Sequence, residues 1–326
     1  MKIKQAGLTA LIFVLFLAVA LTGCNGNPPV QDSPDNSTLK VVATTNIIGD
    51  VTNNIGGEKI DLTILIPLGQ DPHSFEPTPR DLAAVENADL IFINGRHLEE
   101  VLLDAIESTA TGQIITVSTG IEPLAFGEAS DHEHEEEDQA EDEHAAGDPH
   151  FWVDPNNVLI WVENIVQALS AADPQNTPTY TANAEAYRAE LLAVDAYIRE
   201  QVAKIPETNR KLVTDHGLYS YFAEEYGFEI IGAVIPGFTT TAGPSAGEVA
   251  ALAAVIQEEN VPAVFIGATA SQGTQSLAEA LAEEVGTQIQ VLPLLSGSLA
   301  PAGEPGDSYL GYLRYNIDQI VTGLSN

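Results

Sequence analysis

Asp-Pro-His occurs twice in this chain, in "DPHSFEPTPRD" from Asp71 and in "DPHFWVDP" from Asp148, although the sequence holds only seven histidines. Histidine is the commonest metal ligand. A proline in front of it stiffens its approach, because the ring fixes its own φ and keeps its predecessor out of the helical region. Such a loop can aim an imidazole. A third histidine, His216 in "TDHGLYSYF", directly follows the strand-like run "KLVT". His73, His150 and His216 therefore sit at loop or strand-end positions, where three imidazoles could converge on one metal. A borderline ion such as zinc prefers that donor set. Taken singly, each has a plainer reading as a turn or helix-start histidine without a partner. His97 in "NGRHLEE" reads as a solvated helix-start residue. His132, His134 and His144 lie in a strongly acidic tract and could hold metal only weakly.

The elements that must position these residues alternate between strand and helix. "LKVVATTN", "DLTILIP", "DLIFING" and "QIITVS" read as short buried strands, with helical patterns between them in "IGDVTNNIG", "PRDLAAVENA" and "LEEVLLDAIEST". "DPNNVLIWVENIVQALSAAD" is a helix opened by Asp-Pro. A second series runs from "KLVTDH" through "EIIGAV", "AVFIG" and "IQVLPL", with helices between the strands and a last helix in "SYLGYLRYNIDQIVTGL". Such alternation implies an α/β fold with parallel sheets covered by helices on both faces. Between the two series, Tyr180, Ala184, Tyr187, Leu191, Val194, Ile198 and Val202 step by three or four. They mark one amphipathic helix of about 28 residues and about 40 Å, either a spacer or a spine for both units. Ligands of open α/β sheets bind beyond the carboxyl ends of the strands, so the cleft between units is the expected site.

The chain's beginning bears on its compartment. Lys2 and Lys4 precede an apolar run at residues 8–21, and "LTGC" closes it at Cys24. This is a secretory signal pattern; an uncleaved membrane anchor is the alternative. Cys24 is the only cysteine, which excludes an intramolecular disulfide, a thiolate metal site and a cysteine nucleophile in the folded part. Residues 25–38 read as a flexible tether. The formal net charge of −35 excludes binding along a phosphate backbone, so no nucleic-acid partner is expected. Residues 128–148 carry eleven carboxylates and three histidines with no Lys or Arg and no apolar period, so they are expected to form a disordered loop.

Together, "GQDPHSFEPTPRD", "DPHFWVDP", "DHGLYSYFAEEYG", "VPAVFIG" and "GDSYLGYLRYNIDQI" resemble the zinc- and manganese-binding receptors of bacterial ABC importers, over essentially all of the chain from about Leu39 onward. The signal resembles a lipobox, which implies a lipidated Cys24 and an extracytoplasmic, membrane-anchored or periplasmic protein. The resemblance implies two lobes, each a mainly parallel sheet flanked by helices, joined by one long rigid helix. On that plan residues 39–174 form the first lobe, 175–205 the linking helix and 206–326 the second lobe. It further implies a metal held by His73, His150 and His216, an ABC permease as partner, a monomer, and no enzymatic activity.

Many relatives place an aspartate ten residues before the Asp of the "GDSY" motif, where this chain has Gly297. Manganese receptors usually carry Glu where this chain has His216. More imidazoles and fewer carboxylates favour Zn2+ over Mn2+, leaving water or a carboxylate such as Asp307 as fourth ligand. Two other classes compete. A secreted zinc hydrolase would need an open coordination position and a general base, but the chain has no HExxH helix. A surface adhesin is the second, because relatives have been named for adhesion.

Overall fold

A computed structural model describes residues 38–124, 147–240, 243–286 and 289–325. The signal segment, Cys24, the tether up to residue 37 and His132, His134 and His144 lie outside these described residues. In the first lobe β1 (Leu39–Ala43), β2 (Ile60–Ile64), β3 (Leu90–Ile93) and β4 (Gln113–Thr116) form a parallel sheet of order β2-β1-β3-β4. The second lobe repeats the order with β5 (Lys211–Thr214), β6 (Glu229–Ala233), β7 (Ala263–Gly267) and β8 (Gln290–Leu294) as β6-β5-β7-β8. The central strands are buried on both faces, as "LIFI" of β3 and "AVFIG" of β7 require, because helices cover both sides of a parallel sheet.

Helix starts follow local chemistry. In α1 (Asn46–Gly56) the Thr45 hydroxyl accepts the Ile48 N–H. In α2 (Pro79–Glu86) Thr78 and Asp81 form a reciprocal capping box with Pro79 in the first turn. The chain continues through α3 (Glu100–Thr109) and β4. Asp154 caps α4 (Pro155–Ala172) by accepting the Asn156 N–H.

The long helix α5 spans Thr177–Val202, slightly shorter than the sequence pattern suggests, because Pro174–Asn176 form a separate 3₁₀ turn in front of it and the chain leaves the helix in a turn at residues 203–205. All seven of its periodic apolar positions are buried. α5 packs on α1 and α4 from the first lobe and on α9 (Tyr309–Leu324) from the second, so it is a spine rather than a spacer. Residues 38–326 accordingly form one unit, with an inner core running from Val41 through Leu191 to Leu324. The remaining second-lobe helices are α6 (Ser220–Tyr226), α7 (Ala246–Glu258) and α8 (Gln272–Val285). Each sheet keeps a smaller core on its other face, around Ile66 and Ile91 in one lobe and around Val264 and Leu281 in the other.

Polar bonds add to the seam between lobes. Asn46 of α1 accepts the Leu299 N–H and donates to the Ser298 hydroxyl, which also accepts the Gly69 N–H. The Trp152 indole donates to the Ser296 carbonyl, and the Tyr309 hydroxyl donates back to the Trp152 carbonyl.

Candidate metal centre

Each histidine of interest stands where a strand or helix ends against the seam. His73 lies on the loop after β2, His150 immediately before the 3₁₀ turn Phe151–Val153, and His216 two residues beyond β5. Both Asp-Pro-His copies close the same side-chain-to-backbone bond. The His73 N–H donates to Asp71 Oδ1 at 3.0 Å, and the His150 N–H donates to Asp148 Oδ1 at 2.8 Å. The Asp carboxylate thus mimics a backbone acceptor two residues on, while proline holds the intervening φ. His216 is placed differently: the Thr214 hydroxyl donates to its carbonyl at 2.7 Å, and the Gly217 N–H donates to the Gly237 carbonyl.

These three loops bring the imidazoles together. His73 Nε2 lies 3.1 Å from His150 Nε2, and His216 Nε2 lies 3.3 Å from it. All three side chains are buried, and one ring nitrogen from each falls within 4.8 Å of the others. Four ligands about 2.0–2.1 Å from a tetrahedral zinc lie about 3.3 Å apart along each edge, and the two separations from His150 Nε2 match that edge. The His150 ring also abuts the rings of Trp152 and Phe238, which form an apolar wall.

The electrostatics keep two of the rings neutral, the form that binds metal. Burial, reinforced by the charges on His150 and His216, holds the pKa of His73 well below the ordinary histidine value. Burial and the charge of His216 do the same to His150. Burial is the largest influence on His216 and opposes its charge, but Asp215, 3.3 Å from its Nδ1, together with Asp71 and Asp148, outweighs this and raises its pKa above the ordinary value. Asp148 is wholly buried, and burial pushes its carboxyl up to about 7.

The remaining candidates fall elsewhere. Asp307 accepts the Gly303 N–H through Oδ2 and does not join the histidine cluster, because the turn before α9 keeps its carboxylate for itself. His97 is exposed beside Glu100, as expected of a helix-start residue. Gly297 approaches the site differently from a vacant ligand position. A Cβ built there lies 2.7 Å from Pro72 Cδ and 3.0 Å from Cγ, so the Asp71–Pro72–His73 turn occupies the space a side chain would need. Its φ is not in the left-handed region.

Sequence reasoning missed Asp148 and Asn94. Asp148 reads as the tail of the acidic tract, yet the Tyr221 hydroxyl grips its carbonyl at 2.7 Å and the residue is sealed in the seam. Asn94 donates to the Pro149 carbonyl at 2.9 Å and so steadies the second Asp-Pro-His turn. The Asp repeated at the same offset from both histidines was the available signal for Asp148; nothing local marks Asn94.

Residues 41–323 match the family described as zinc-uptake complex component A, periplasmic. The chain belongs to this family. It is also 32% identical over 312 residues to the manganese-binding lipoprotein MntA of Halalkalibacterium halodurans, covering 96% of this chain and 97% of that protein. To the manganese ABC transporter substrate-binding lipoprotein PsaA of Streptococcus pneumoniae serotype 4 it is 31% identical over 322 residues, 96% of this chain and 98% of the relative. Among solved structures, the periplasmic zinc binding protein TroA from Treponema pallidum superposes with a TM-score of 0.79 at 29% identity, over 89% of this chain and 100% of that one. The Mn-bound periplasmic metal binding protein from Candidatus Liberibacter asiaticus superposes at 0.73 with 28% identity, over 88% and 99%. This member of the family is therefore a metal-binding receptor of an ABC transporter, with a membrane permease as its partner, and not an enzyme. No helix among the described residues is long and apolar enough to cross a membrane.

Proposed function

We propose that this receptor captures zinc in the seam between its lobes, with His73, His150 and His216 as the protein ligands, and delivers it to the permease from outside the cell membrane. The observation that carries the reading is the convergence of three buried imidazole nitrogens, 3.1 and 3.3 Å apart where they meet His150 Nε2, with no carboxylate in the group. Imidazole donors suit zinc, whereas manganese is better served by carboxylate and water oxygens. The fourth position falls to water. Lipidation of Cys24 would hold the receptor at the membrane, in keeping with relatives that are named lipoproteins.

Manganese is the second reading, and the names of the relatives favour it over zinc: MntA and PsaA, matched over nearly their full length, are both named for manganese. Chelator competition on purified residues 25–326 separates the two. The expected result is one zinc bound far more tightly than manganese; equal or tighter binding of manganese overturns the zinc reading. Mass spectrometry of intact protein from membranes, with and without inhibition of lipid transfer, tests the modification of Cys24.

A further inference from the structure

The two Asp-Pro-His turns use their first carboxylate oxygen identically and then diverge. In the first copy, Asp71 Oδ2 accepts the hydroxyl of Thr240 from the other lobe. In the second, Asp148 Oδ1 accepts the His150 N–H and also lies 2.7 Å from Nδ1 of the same ring. The turn alone requires only the backbone bond. The contact to Nδ1 is an addition, made by a side chain with 0% exposure beside a ring with 1% exposure. The backbone amide can only donate, so Oδ1 is an acceptor there, and the ring tautomer that matches this role is the one whose Nδ1–H also donates to Oδ1.

From this geometry we infer that Asp148 is the positioning residue of the metal centre. It fixes His150 as the Nδ1–H tautomer, turns the Nε2 lone pair toward His73 and His216, and raises the donor strength of that nitrogen. His150 is the ring within 3.1 and 3.3 Å of both others, so its orientation sets the geometry of the whole cluster. A carboxylate behind a ligating imidazole acts this way in metal sites generally, and its loss typically weakens affinity about 10- to 100-fold. Asp215 stands near His216 Nδ1 at 3.3 Å, but that nitrogen has no hydrogen bond, so the two carboxylates are not equivalent. The inference rests on His150 being a ligand.

The test combines a tautomer measurement with metal affinity. In metal-free parent protein carrying 15N-labelled histidine, the ring nitrogen shifts of His150 should show a protonated Nδ1 and a bare Nε2. The reverse tautomer overturns the inference without need of any variant. Asp148→Asn keeps an acceptor oxygen for the turn but removes the charge. It should weaken zinc binding about tenfold, and Asp148→Ala by up to about 100-fold, with His150 becoming a mixture of tautomers. A folded Asp148→Asn that keeps both parent affinity and parent tautomer overturns the role of the carboxylate. His150→Ala, measured alongside, separates the two ideas: parent affinity in that variant removes His150 from the ligand set, whereas sharp loss there with none in the Asp148 variants refutes only the positioning role.

Discussion

Replacing Gly297 by alanine tests how the second lobe shapes the site. The added methyl would sit 2.7 Å from Pro72 Cδ and 3.0 Å from Cγ, well inside van der Waals contact. Proline has no flexible end to swing aside, and Pro72 is itself buried, so either the Asp71–Pro72–His73 turn or the Gly297 strand-end must move. Overpacking of this kind costs about 1–3 kcal/mol. At roughly 2–4 °C per kcal/mol for a protein of this size, the apo melting temperature should fall by roughly 2–12 °C. Movement of the turn also carries His73 away from His150, so zinc affinity should fall together with stability. Scanning calorimetry of the apo protein and chelator competition measure the two effects. The decisive control is the double variant with Pro72→Ala, which removes the ring atoms that collide and should recover most of the lost stability relative to Pro72→Ala alone. A Gly297→Ala protein that melts with the parent, or a penalty that persists in full without the Pro72 ring, refutes the argument. Gly297→Asp carries the same collision, so a carboxylate at this position does not enter the metal shell without displacing Pro72.

Other perturbations have equally direct outcomes. His73→Ala, His150→Ala and His216→Ala should each weaken zinc binding sharply in competition titrations while circular dichroism of the apo protein stays near the parent's; full affinity in any one removes that residue from the ligand set. Zinc at about a thousand times its dissociation constant should add about 4 kcal/mol of stability to the parent by mass action, read as a higher melting temperature, and less to each variant. Because the pKa of His73 and His150 is lowered and that of His216 raised, His216 is the ring where protons compete most strongly with metal. Calorimetric titration in buffers of different ionisation enthalpy should therefore show protons released on zinc binding, with affinity falling as pH drops; affinity that does not change with pH contradicts the assignment. Leu191→Ala, in the middle of the spine and 1% exposed, should cost about 2–5 kcal/mol by chemical denaturation, because α5 joins the inner core of both lobes.

Much of this molecule was written locally. The period of three and four from Tyr180 to Val202 marked the spine because a helix must bury one face, and each of those residues is buried. Short β-branched runs such as "LIFI" and "AVFIG" marked central strands because a parallel sheet is covered on both sides. Asp-Pro-His announced a stiff turn, since proline restricts the residues on either side of the bond, and both copies adopt it. What the sequence could not contain is any distance between segments far apart in the chain. That His150 meets His73 across 77 positions and His216 across 66 follows only when α5 docks both lobes along one seam. The same docking puts Pro72 against Gly297, leaves Asp307 to its own turn, and seals Asp148 behind His150. Local torsions and apolar periods are properties of a few consecutive residues. A metal centre is a property of surfaces brought into contact, and burial there decides which carboxylate supports a ligand and which is spent elsewhere.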